Sequence, residues 1–257
     1  MLRYIVPSDL RLGKIEDYIS NELKNKNTLL FPLIDSENPI DALDIAKKVE
    51  KIGASAILIG GSSVVDQMEL TNIISVLKSN SLRIPIILFP GNITGVAPNA
   101  DAILFTSLLN SDNPYFITGA QALGSLAVKK YNLEPIPTGY IIIGDGTTAW
   151  HIGRAKGIPF HKDGLAIMYA LAAQFLGMRF IYLEAGSGAL QNVSPKMIGA
   201  VRKYFEGKII VGGGIKTPEI ASQIAKAGAD IIVVGTMIED DNNWEEKLSS
   251  IIDAIGK

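Results

Sequence analysis

The stretch IIVGGGIKTPEIASQIAKAGADIIVVGT, residues Ile209–Thr236, contains one complete strand–helix–strand unit. Its two runs of Ile and Val, at Ile209–Val211 and Asp230–Val234, have the uninterrupted apolar composition of parallel strands that are buried on both faces. Between them, Pro218–Ala227 has helical periodicity, and a proline at a helix start costs no hydrogen bond because the first turn offers its N–H no partner. This unit predicts a parallel α/β fold.

The same alternation recurs through the chain. We predict further strands at Thr28–Ile34, Ala56–Ile59, Ile84–Phe89, Ala102–Phe105, Tyr140–Ile143 and Phe180–Glu184. We predict further helices at Pro39–Ile52, Val65–Ser79, Pro114–Tyr131, Gly164–Leu176, Pro195–Phe205 and Trp244–Ile255. In a chain of 257 residues, eight strands alternating with helices favour a closed (β/α)8 barrel, or TIM barrel, over an open doubly wound sheet. We therefore expect one TIM-barrel domain over residues 1–257.

Three segments depart from the regular alternation. Gly91–Ala100, after the third strand, is too short and too rich in Gly, Pro and Asn for an ordinary barrel helix, so we predict an irregular or missing third helix. Gly144–Asp163, after the fifth strand, is long enough to form a functional loop over the barrel mouth. The residues that precede the first strand predict an extra helix beneath the barrel.

Composition excludes several classes of protein. The 24 Lys and Arg nearly balance the 26 Asp and Glu, and no basic run offers a binding face for a polyanion, so we expect no nucleic-acid partner. The absence of cysteine excludes disulfides, thiolate metal sites and a cysteine nucleophile. Neither a signal peptide nor a long apolar span is recognisable, which predicts a cytoplasmic protein.

Glycine-rich turns follow the last two predicted strands. Gly213 and Gly214 come after the seventh strand, and Gly235 and Thr236 come after the eighth. Backbone N–H groups in such turns can approach an anion closely, and TIM barrels often bind phosphate between these two loops. The pattern predicts a phosphate site, although glycines at these positions can also serve only to make tight turns.

The sixth predicted strand ends in Tyr182-Leu183-Glu184-Ala185-Gly186-Ser187-Gly188. A carboxylate at a buried strand end can act as a base or hold a hydroxyl group, and the glycines that follow add anion-binding backbone. The alternative is a structural glutamate that is paired inside the barrel. Without a Gly-x-Ser-x-Gly motif, the two histidines of the fifth loop do not indicate a serine hydrolase.

Two further sites are suggested by charge. Asp35 and Ser62 follow the first and second strands, and a carboxylate with a hydroxyl suits Mg²⁺, a hard cation that completes its shell with water and phosphate. The alternative for Asp35 is to cap the next helix. Arg154, Lys156 and Lys162 make the fifth loop largely cationic, which suggests a lid over an anionic substrate, unless these charges are merely solvated.

With these motifs assembled, the chain resembles the geranylgeranylglyceryl phosphate synthase family, which includes heptaprenylglyceryl phosphate synthases. The resemblance covers nearly the whole chain and rests on Leu33-Ile34-Asp35, Ile59-Gly60-Gly61-Ser62, Tyr182–Gly188, Gly212–Ile215 and Gly235-Thr236. It implies a cytoplasmic prenyltransferase of archaeal-type ether phospholipid biosynthesis. Such an enzyme joins geranylgeranyl diphosphate to the C3 hydroxyl of sn-glycerol 1-phosphate and releases diphosphate.

The resemblance also implies roles for particular residues. Mg²⁺ is the implied cofactor, held by Asp35 and Ser62, and Glu184 and Tyr182 are our candidate catalytic residues. The implied glycerol phosphate site consists of Tyr182, Leu183, Glu184, Ala185, Gly186, Ser187, Gly188, Gly213, Gly214, Gly235 and Thr236. The sequence departs from one common version of the family motif, because Leu33 stands where a lysine often helps to bind phosphate and Ser36 replaces the usual proline.

The partners follow from this reading. A prenyl tail needs a long apolar channel, and we expect that channel beside Gly91–Ala100, with at most transient membrane contact through substrate or product. We expect a homo-oligomer. Two alternatives remain open: another phosphate-binding barrel enzyme, such as a lyase or an isomerase, and a barrel that binds phosphate ligands without turnover.

Overall fold

The computed structural model describes residues 12–34, 39–61, 66–240 and 243–256, and its strands form a closed parallel barrel. Each strand pairs with the next along the chain, and β1 pairs with β8 to close the barrel. The strands are β1 Leu29–Ile34, β2 Ile57–Gly61, β3 Ile86–Pro90, β4 Ala102–Leu108, β5 Glu134–Ile142, β6 Phe180–Glu184, β7 Lys208–Gly212 and β8 Ile231–Val234. The predicted TIM barrel is confirmed.

Helices surround the barrel, and several begin at signals that are visible in the sequence. Ser194 and Thr217 each precede a proline and accept a backbone N–H from the first turn of the following helix. The helices are α1 Lys14–Asn25, α2 Pro39–Ile52, α3 Gln67–Ser79, α4 Ala120–Lys130, α5 Thr148–Ile152, α6 Asp163–Phe175, α7 Pro195–Arg202, α8 Pro218–Lys226, α9 Thr236–Asp240 and α10 Trp244–Ile255. Among these described helices, none is long and apolar enough to cross a membrane.

The core has two layers because side chains alternate between the two faces of each strand. One layer lies between the strands and the helices. The other fills the barrel interior and includes Phe31, Leu58, Leu104, Phe180 and Ile210. Near the carboxyl ends of the strands this interior layer contains three aromatic rings, of which Phe89 stacks on Tyr182 with 5.3 Å between ring centroids. The packed interior leaves no room for a ligand inside the barrel beneath these rings.

Helix α1 lies across the amino-terminal end of the barrel, as the sequence predicts. The carboxylate of Glu134, at the start of β5, accepts the backbone N–H groups of Ile15 and Glu16, both at 2.8 Å. Glu16 in turn forms an ion pair with Arg179, which immediately precedes β6, at 2.5 Å. These contacts fix α1 to the end of the barrel opposite the mouth.

The third helix is irregular, which confirms the prediction for Gly91–Ala100. A single turn of 3-10 helix at Ile93–Gly95 replaces it, and the Asn92 side chain accepts the N–H of Ile93 at 2.8 Å. Helix α4 also differs from the predicted Pro114–Tyr131, because a π-helical turn at Tyr115–Gly119 precedes its regular part. Both irregular turns lie on the same side of the barrel, flanking β4.

Strand β5 begins at Glu134, six positions before the predicted start at Tyr140. Pro135 and Pro137 obscured it, since proline is rare inside sheets. The N–H of Glu134 donates to the carbonyl oxygen of Asp101, beside β4. Successive residues of a strand direct their backbone groups to opposite neighbours, so Pro135 and Pro137 direct theirs towards the β6 side. Pairing with β6 starts only at Thr138, so neither proline removes a hydrogen bond from the sheet.

Candidate active site

A cavity of about 390 Å³, called the polar cavity here because it is the more polar of two at the barrel mouth, opens at the carboxyl ends of β6, β7 and β8. The loops that follow these strands supply its walls: Ser187, Gly188, Gly213, Gly214, Gly235 and Thr236. The structure therefore brings together the glycine turns that the sequence marked as a phosphate site. Two lysines, Lys216 and Lys247, also line the cavity.

The glycine conformations explain how the loops come so close together. Gly213 has φ of +84°, in the left-handed region that other residues rarely adopt. A Cβ atom there would lie 2.5 Å from the backbone nitrogen of Gly186 and 2.6 Å from Oε1 of Glu184. The hydroxyls of Ser187 and Thr236, 3.0 Å apart, join the sixth loop to the eighth. A side chain at position 213 would push the seventh loop away from the sixth.

Glu184 ends β6 at the wall of this cavity and is 6% exposed. Its Oε1 accepts the backbone N–H of Gly186 at 2.6 Å, and the hydroxyls of Tyr182 and Tyr140 donate to the same carboxylate. Burial raises the pKa of Glu184 above its ordinary value, and the three hydrogen bonds partly offset that rise in pKa. The result is a buried carboxylate that is held in one orientation and accepts a proton more readily than an exposed one.

Tyr140 and Tyr182 stand side by side, opposite each other in the pairing of β5 with β6. Burial and the nearby charge of Glu184 raise the pKa of both phenols well above the ordinary value, so both remain protonated donors. Gly212 makes room for this arrangement, since a Cβ there would overlap the Tyr182 hydroxyl. Sequence reasoning missed Tyr140 as a site residue, although its position near the carboxyl end of the fifth strand could have indicated it.

Two of the predicted glycerol phosphate residues do not present their side chains to the cavity. The side chains of Leu183 and Ala185 are buried in the outer layer, between strands and helices, because they alternate with Tyr182 and Glu184 along the chain. The N–H of Ala185 already donates to the carbonyl oxygen of Gly212 at 3.0 Å. Neither residue lines the polar cavity, and their predicted part in glycerol phosphate binding stays a prediction.

The two cavity lysines were not predicted as site residues. Lys216 directly follows the glycine turn of the seventh loop, so its position was a usable signal. Lys247 belongs to the closing helix α10, and only the fold brings that helix to the phosphate loops. Both side chains add positive charge to the cavity, which also contains the negatively charged Glu184.

An apolar cavity of about 170 Å³ lies beside the polar one, against β3 and β4. The irregular 3-10 turn and the π-helical turn border it, where the sequence predicted a channel beside Gly91–Ala100. Its lining includes Phe89, Ile93, Val96, Ile103, Phe105, Leu108, Phe116, Gly124 and Val128. A full barrel helix after β3 would occupy part of this space.

The two cavities meet at one point of the barrel mouth. Among the described residues, three line both of them: Leu33, Glu184 and Ser187. A ligand in the apolar cavity and a second ligand in the polar cavity would thus come together beside the Glu184 carboxylate.

The charged side chains of the loop Gly144–Asp163, whose composition suggested a cationic lid, do not line either cavity in this structure. The loop folds into the short helix α5, and Ala149, Ile152 and Gly153 line the apolar cavity. Arg154 forms an ion pair with Asp112 at 3.0 Å, outside both cavities. The lysines and histidines of the loop, all of them described, line neither cavity. The face that this loop presents to the site is apolar.

The predicted metal ligands Asp35 and Ser62 lie outside the described residues. They directly follow β1 and β2, which are paired neighbours, with Ile34 opposite Ile59 near the strand ends. Within the part of the chain that the structure describes, no group of three or more acidic or histidine side chains could hold a metal ion. The magnesium site therefore stays a prediction.

A closed (β/α)8 barrel with a glycine-walled cavity after strands seven and eight has the defining features of the phosphate-binding TIM barrels. The sequence pattern of the PcrB family matches residues 24–255 of the chain. The protein belongs to the PcrB family.

Relatives of known name agree with this assignment. Geranylgeranylglyceryl phosphate synthase of Nitrosopumilus maritimus is 59% identical over 245 residues, covering 95% of this chain and 97% of the relative. The enzyme of the same name from Pyrococcus abyssi is 49% identical, covering 92% and 94%. The resemblance stated from the sequence motifs is confirmed.

Solved structures support the same conclusion. (S)-3-O-geranylgeranylglyceryl phosphate synthase of Thermoplasma acidophilum, in complex with sn-glycerol-1-phosphate, superposes with a TM-score of 0.89. It is 35% identical and covers 96% of this chain and 99% of its own. The tryptophan synthase alpha chain of Legionella pneumophila, at 16% identity and a TM-score of 0.62, shares the fold alone.

Proposed function

We propose that the protein joins the geranylgeranyl group of geranylgeranyl diphosphate to the C3 hydroxyl of sn-glycerol 1-phosphate and releases diphosphate. The observation that carries this proposal is the meeting of a polar and an apolar cavity at Glu184. The names of the relatives and the acceptor bound in the Thermoplasma acidophilum structure support the same reaction.

The acceptor occupies the polar cavity in this proposal. The backbone around Gly213, Gly214, Gly235 and Thr236 surrounds the phosphate, and Lys216 and Lys247 add positive charge. Since Glu184 lines this cavity and the apolar cavity as well, the glycerol end of the molecule reaches its carboxylate where the two cavities join. This orientation places the free hydroxyls, rather than the phosphate, at the junction of the cavities.

The donor places its hydrocarbon tail in the apolar cavity. Phe89, Ile103, Phe116 and Val128 offer the tail an apolar wall, and burial of apolar area is the main driving force for such binding. The allylic C1 atom then lies near Leu33 and Glu184, where the cavities join. Donor and acceptor approach the same carboxylate from different directions.

The chemistry at the junction is a substitution at carbon. The bond between C1 and the diphosphate oxygen breaks, its electron pair leaves with diphosphate, and the C3 oxygen of glycerol phosphate bonds to C1. The hydroxyl proton passes to the carboxylate of Glu184, whose pKa is raised by burial. Tyr140 and Tyr182, which donate hydrogen bonds to that carboxylate, keep it aimed at the acceptor.

A divalent cation, Mg²⁺, forms part of the proposal, with Asp35 and Ser62 as its protein ligands. A carboxylate and a hydroxyl at the ends of neighbouring strands are the hard oxygen donors that Mg²⁺ prefers. When bound there, Mg²⁺ would offset the charge that develops on the leaving diphosphate. Asp35→Asn should lower turnover steeply without unfolding the protein, and activity indifferent to both this change and EDTA would contradict the metal assignment.

Product formation tests the proposed reaction. Purified protein, incubated with labelled geranylgeranyl diphosphate, sn-glycerol 1-phosphate and Mg²⁺, should yield one ether product and one diphosphate per turnover, identified by mass. Unphosphorylated glycerol should be a poor acceptor, because it lacks the group that the glycine loops hold. Folded protein that forms no ether product under these conditions would refute the proposal. Cytoplasmic location, transient membrane contact and homo-oligomeric assembly stay predictions.

A further inference from the structure

Leu33 occupies a special place at the carboxyl end of β1. It is the one apolar side chain among the described residues that line both cavities, and its companions there are Glu184 and Ser187. Pro32 pairs with Val234, so Leu33 lies level with Gly235 of the phosphate loop. A Cβ at Gly235 would be 3.5 Å from both Cβ and Cδ2 of Leu33, which shows that the leucine side chain lies against that loop.

Packing holds Leu33 in this position from below. Its side chain is partly buried and packs against the interior layer that contains Phe89 and Tyr182, and Tyr140 is another partly buried member of the same layer. On one side of Leu33 is the polar cavity with its lysines, and on the other is the apolar cavity beside Phe89. Leu33 therefore forms an apolar partition between the cavity assigned to the acceptor and the cavity assigned to the prenyl tail.

This partition matters because of the chemistry proposed at the junction. As diphosphate leaves, the allylic C1 atom becomes electron-poor and reacts with whichever oxygen reaches it. The C3 hydroxyl of glycerol phosphate gives the ether, whereas a water molecule gives the free prenyl alcohol. In the second case the water oxygen bonds to C1, the C1–O bond to diphosphate breaks, and one proton is released. Glu184 can accept the proton in either case, so it does not discriminate between them.

We infer that Leu33 is a specificity-determining residue that excludes water from the reacting carbon and so favours transfer over hydrolysis. This inference rests on the proposed transfer reaction. Exclusion of water from an active site is a recognised means of suppressing hydrolysis of reactive intermediates. Glu184 and Ser187, the other two described side chains at the junction, are polar and can bind water, so Leu33 is the described residue there that can exclude it.

The test is the ratio of prenyl alcohol to ether product in single variants. Leu33→Ala opens the passage and Leu33→Asn lines it with a polar group, and both should raise the ratio at least tenfold. Leu33→Met keeps an apolar side chain of similar volume and should leave the ratio within about twofold of the unaltered protein. Val96→Ala is the matched control, because Val96 lines only the apolar cavity and its truncation should weaken donor binding without changing the ratio.

Labelled water identifies the bond that breaks. In H₂¹⁸O, attack at C1 puts ¹⁸O into the prenyl alcohol, whereas a contaminating phosphatase cleaves a P–O bond and leaves the alcohol unlabelled. Only the folded fraction of a variant makes either product. Partial unfolding therefore lowers the amounts of ether and of prenyl alcohol together and leaves their ratio unchanged.

The outcomes separate this inference from the proposed function. If the unaltered protein makes no ether, the proposed function fails. If it makes ether and Leu33→Ala and Leu33→Asn keep the original ratio of alcohol to ether, Leu33 does not control water access and the inference is overturned. A rise in Val96→Ala equal to that in Leu33→Ala would also overturn it, since any loss of packing would then have the same effect.

Discussion

Replacing Glu184 by glutamine removes the charge and the basic site while keeping the shape of the side chain. In the structure, Glu184 accepts the Gly186 N–H and the hydroxyls of Tyr140 and Tyr182, and the amide oxygen of glutamine can keep part of this set. A positioned general base contributes about 10²- to 10⁴-fold to a rate. That range corresponds to roughly 2.7 to 5.4 kcal/mol of transition-state stabilisation. We therefore expect kcat to fall at least a hundredfold in Glu184→Gln.

The loss of activity in Glu184→Gln should not be accompanied by a loss of thermal stability. Burial raises the pKa of Glu184 in the folded protein, so folding disfavours the ionised form. The stability linked to this group is fully present below the unfolded pKa and is lost as pH rises through the folded pKa. At neutral pH the carboxylate thus carries a penalty that glutamine lacks, and Glu184→Gln should melt at the same temperature as the unaltered protein or higher.

The pH dependence of kcat/KM for glycerol phosphate completes the assay. Activity should rise with pH through the raised pKa of Glu184, and this acidic limb should be absent from Glu184→Gln. Tyr182→Phe removes one hydrogen bond that lowers the pKa of Glu184, so the limb should move to higher pH with a smaller loss of kcat. Any limb shared by all three proteins belongs to the substrate phosphate. Unchanged kcat in Glu184→Gln, or an unfolded variant whose active remnant turns over normally, would refute the assignment of the base.

Three further predictions test other parts of the structure. Gly214 has φ of +69°, and a Cβ there would lie 3.1 Å from the backbone of Gln191. Gly214→Ala should therefore raise KM for glycerol phosphate more than KM for the donor. Equal effects on both KM values would contradict the phosphate site. Gly124→Leu should fill the apolar cavity and raise KM for geranylgeranyl diphosphate relative to KM for a shorter prenyl donor. The melting temperature should not fall, since leucine stabilises a helix by ~0.8 kcal/mol relative to glycine. An unchanged preference between the two donors would argue against tail binding there. Arg179→Met leaves the buried Glu16 without its partner, which should cost about 3 kcal/mol in urea unfolding, and adding Glu16→Gln should recover part of the loss.

Most of the fold was predictable because strands of a parallel barrel are buried on both faces and read as continuous apolar runs. The runs at Phe180–Glu184 and Ile209–Val211 fall within one residue of the observed strands. The predicted fifth strand is too short because prolines usually indicate the end of a strand. Whether a proline costs a hydrogen bond depends on which neighbouring strand it faces. Pro135 and Pro137 precede the first residue of β5 that pairs with β6. This register between the strands cannot be inferred from composition.

The candidate site divides in the same way. Gly213, Gly235 and Glu184 were predictable because they follow strands whose carboxyl ends meet at the barrel mouth. Lys247 was not, because it enters the cavity from a helix remote in sequence from the glycine turns. The positions of the charged side chains in the fifth loop were not predictable for a similar reason. Charge composition does not tell where a side chain points, and Arg154 turns to Asp112 rather than to the site.

The central claim is that donor and acceptor meet at Glu184 from two separate cavities. A crystal structure with sn-glycerol 1-phosphate and a non-reactive analogue of geranylgeranyl diphosphate tests it most directly. We predict density for the acceptor phosphate between Gly214 and Thr236, for the prenyl tail between Phe89 and Val128, and for the C3 hydroxyl within hydrogen-bond distance of the Glu184 carboxylate. A tail bound outside the apolar cavity, or a C3 hydroxyl held away from Glu184, would contradict the account.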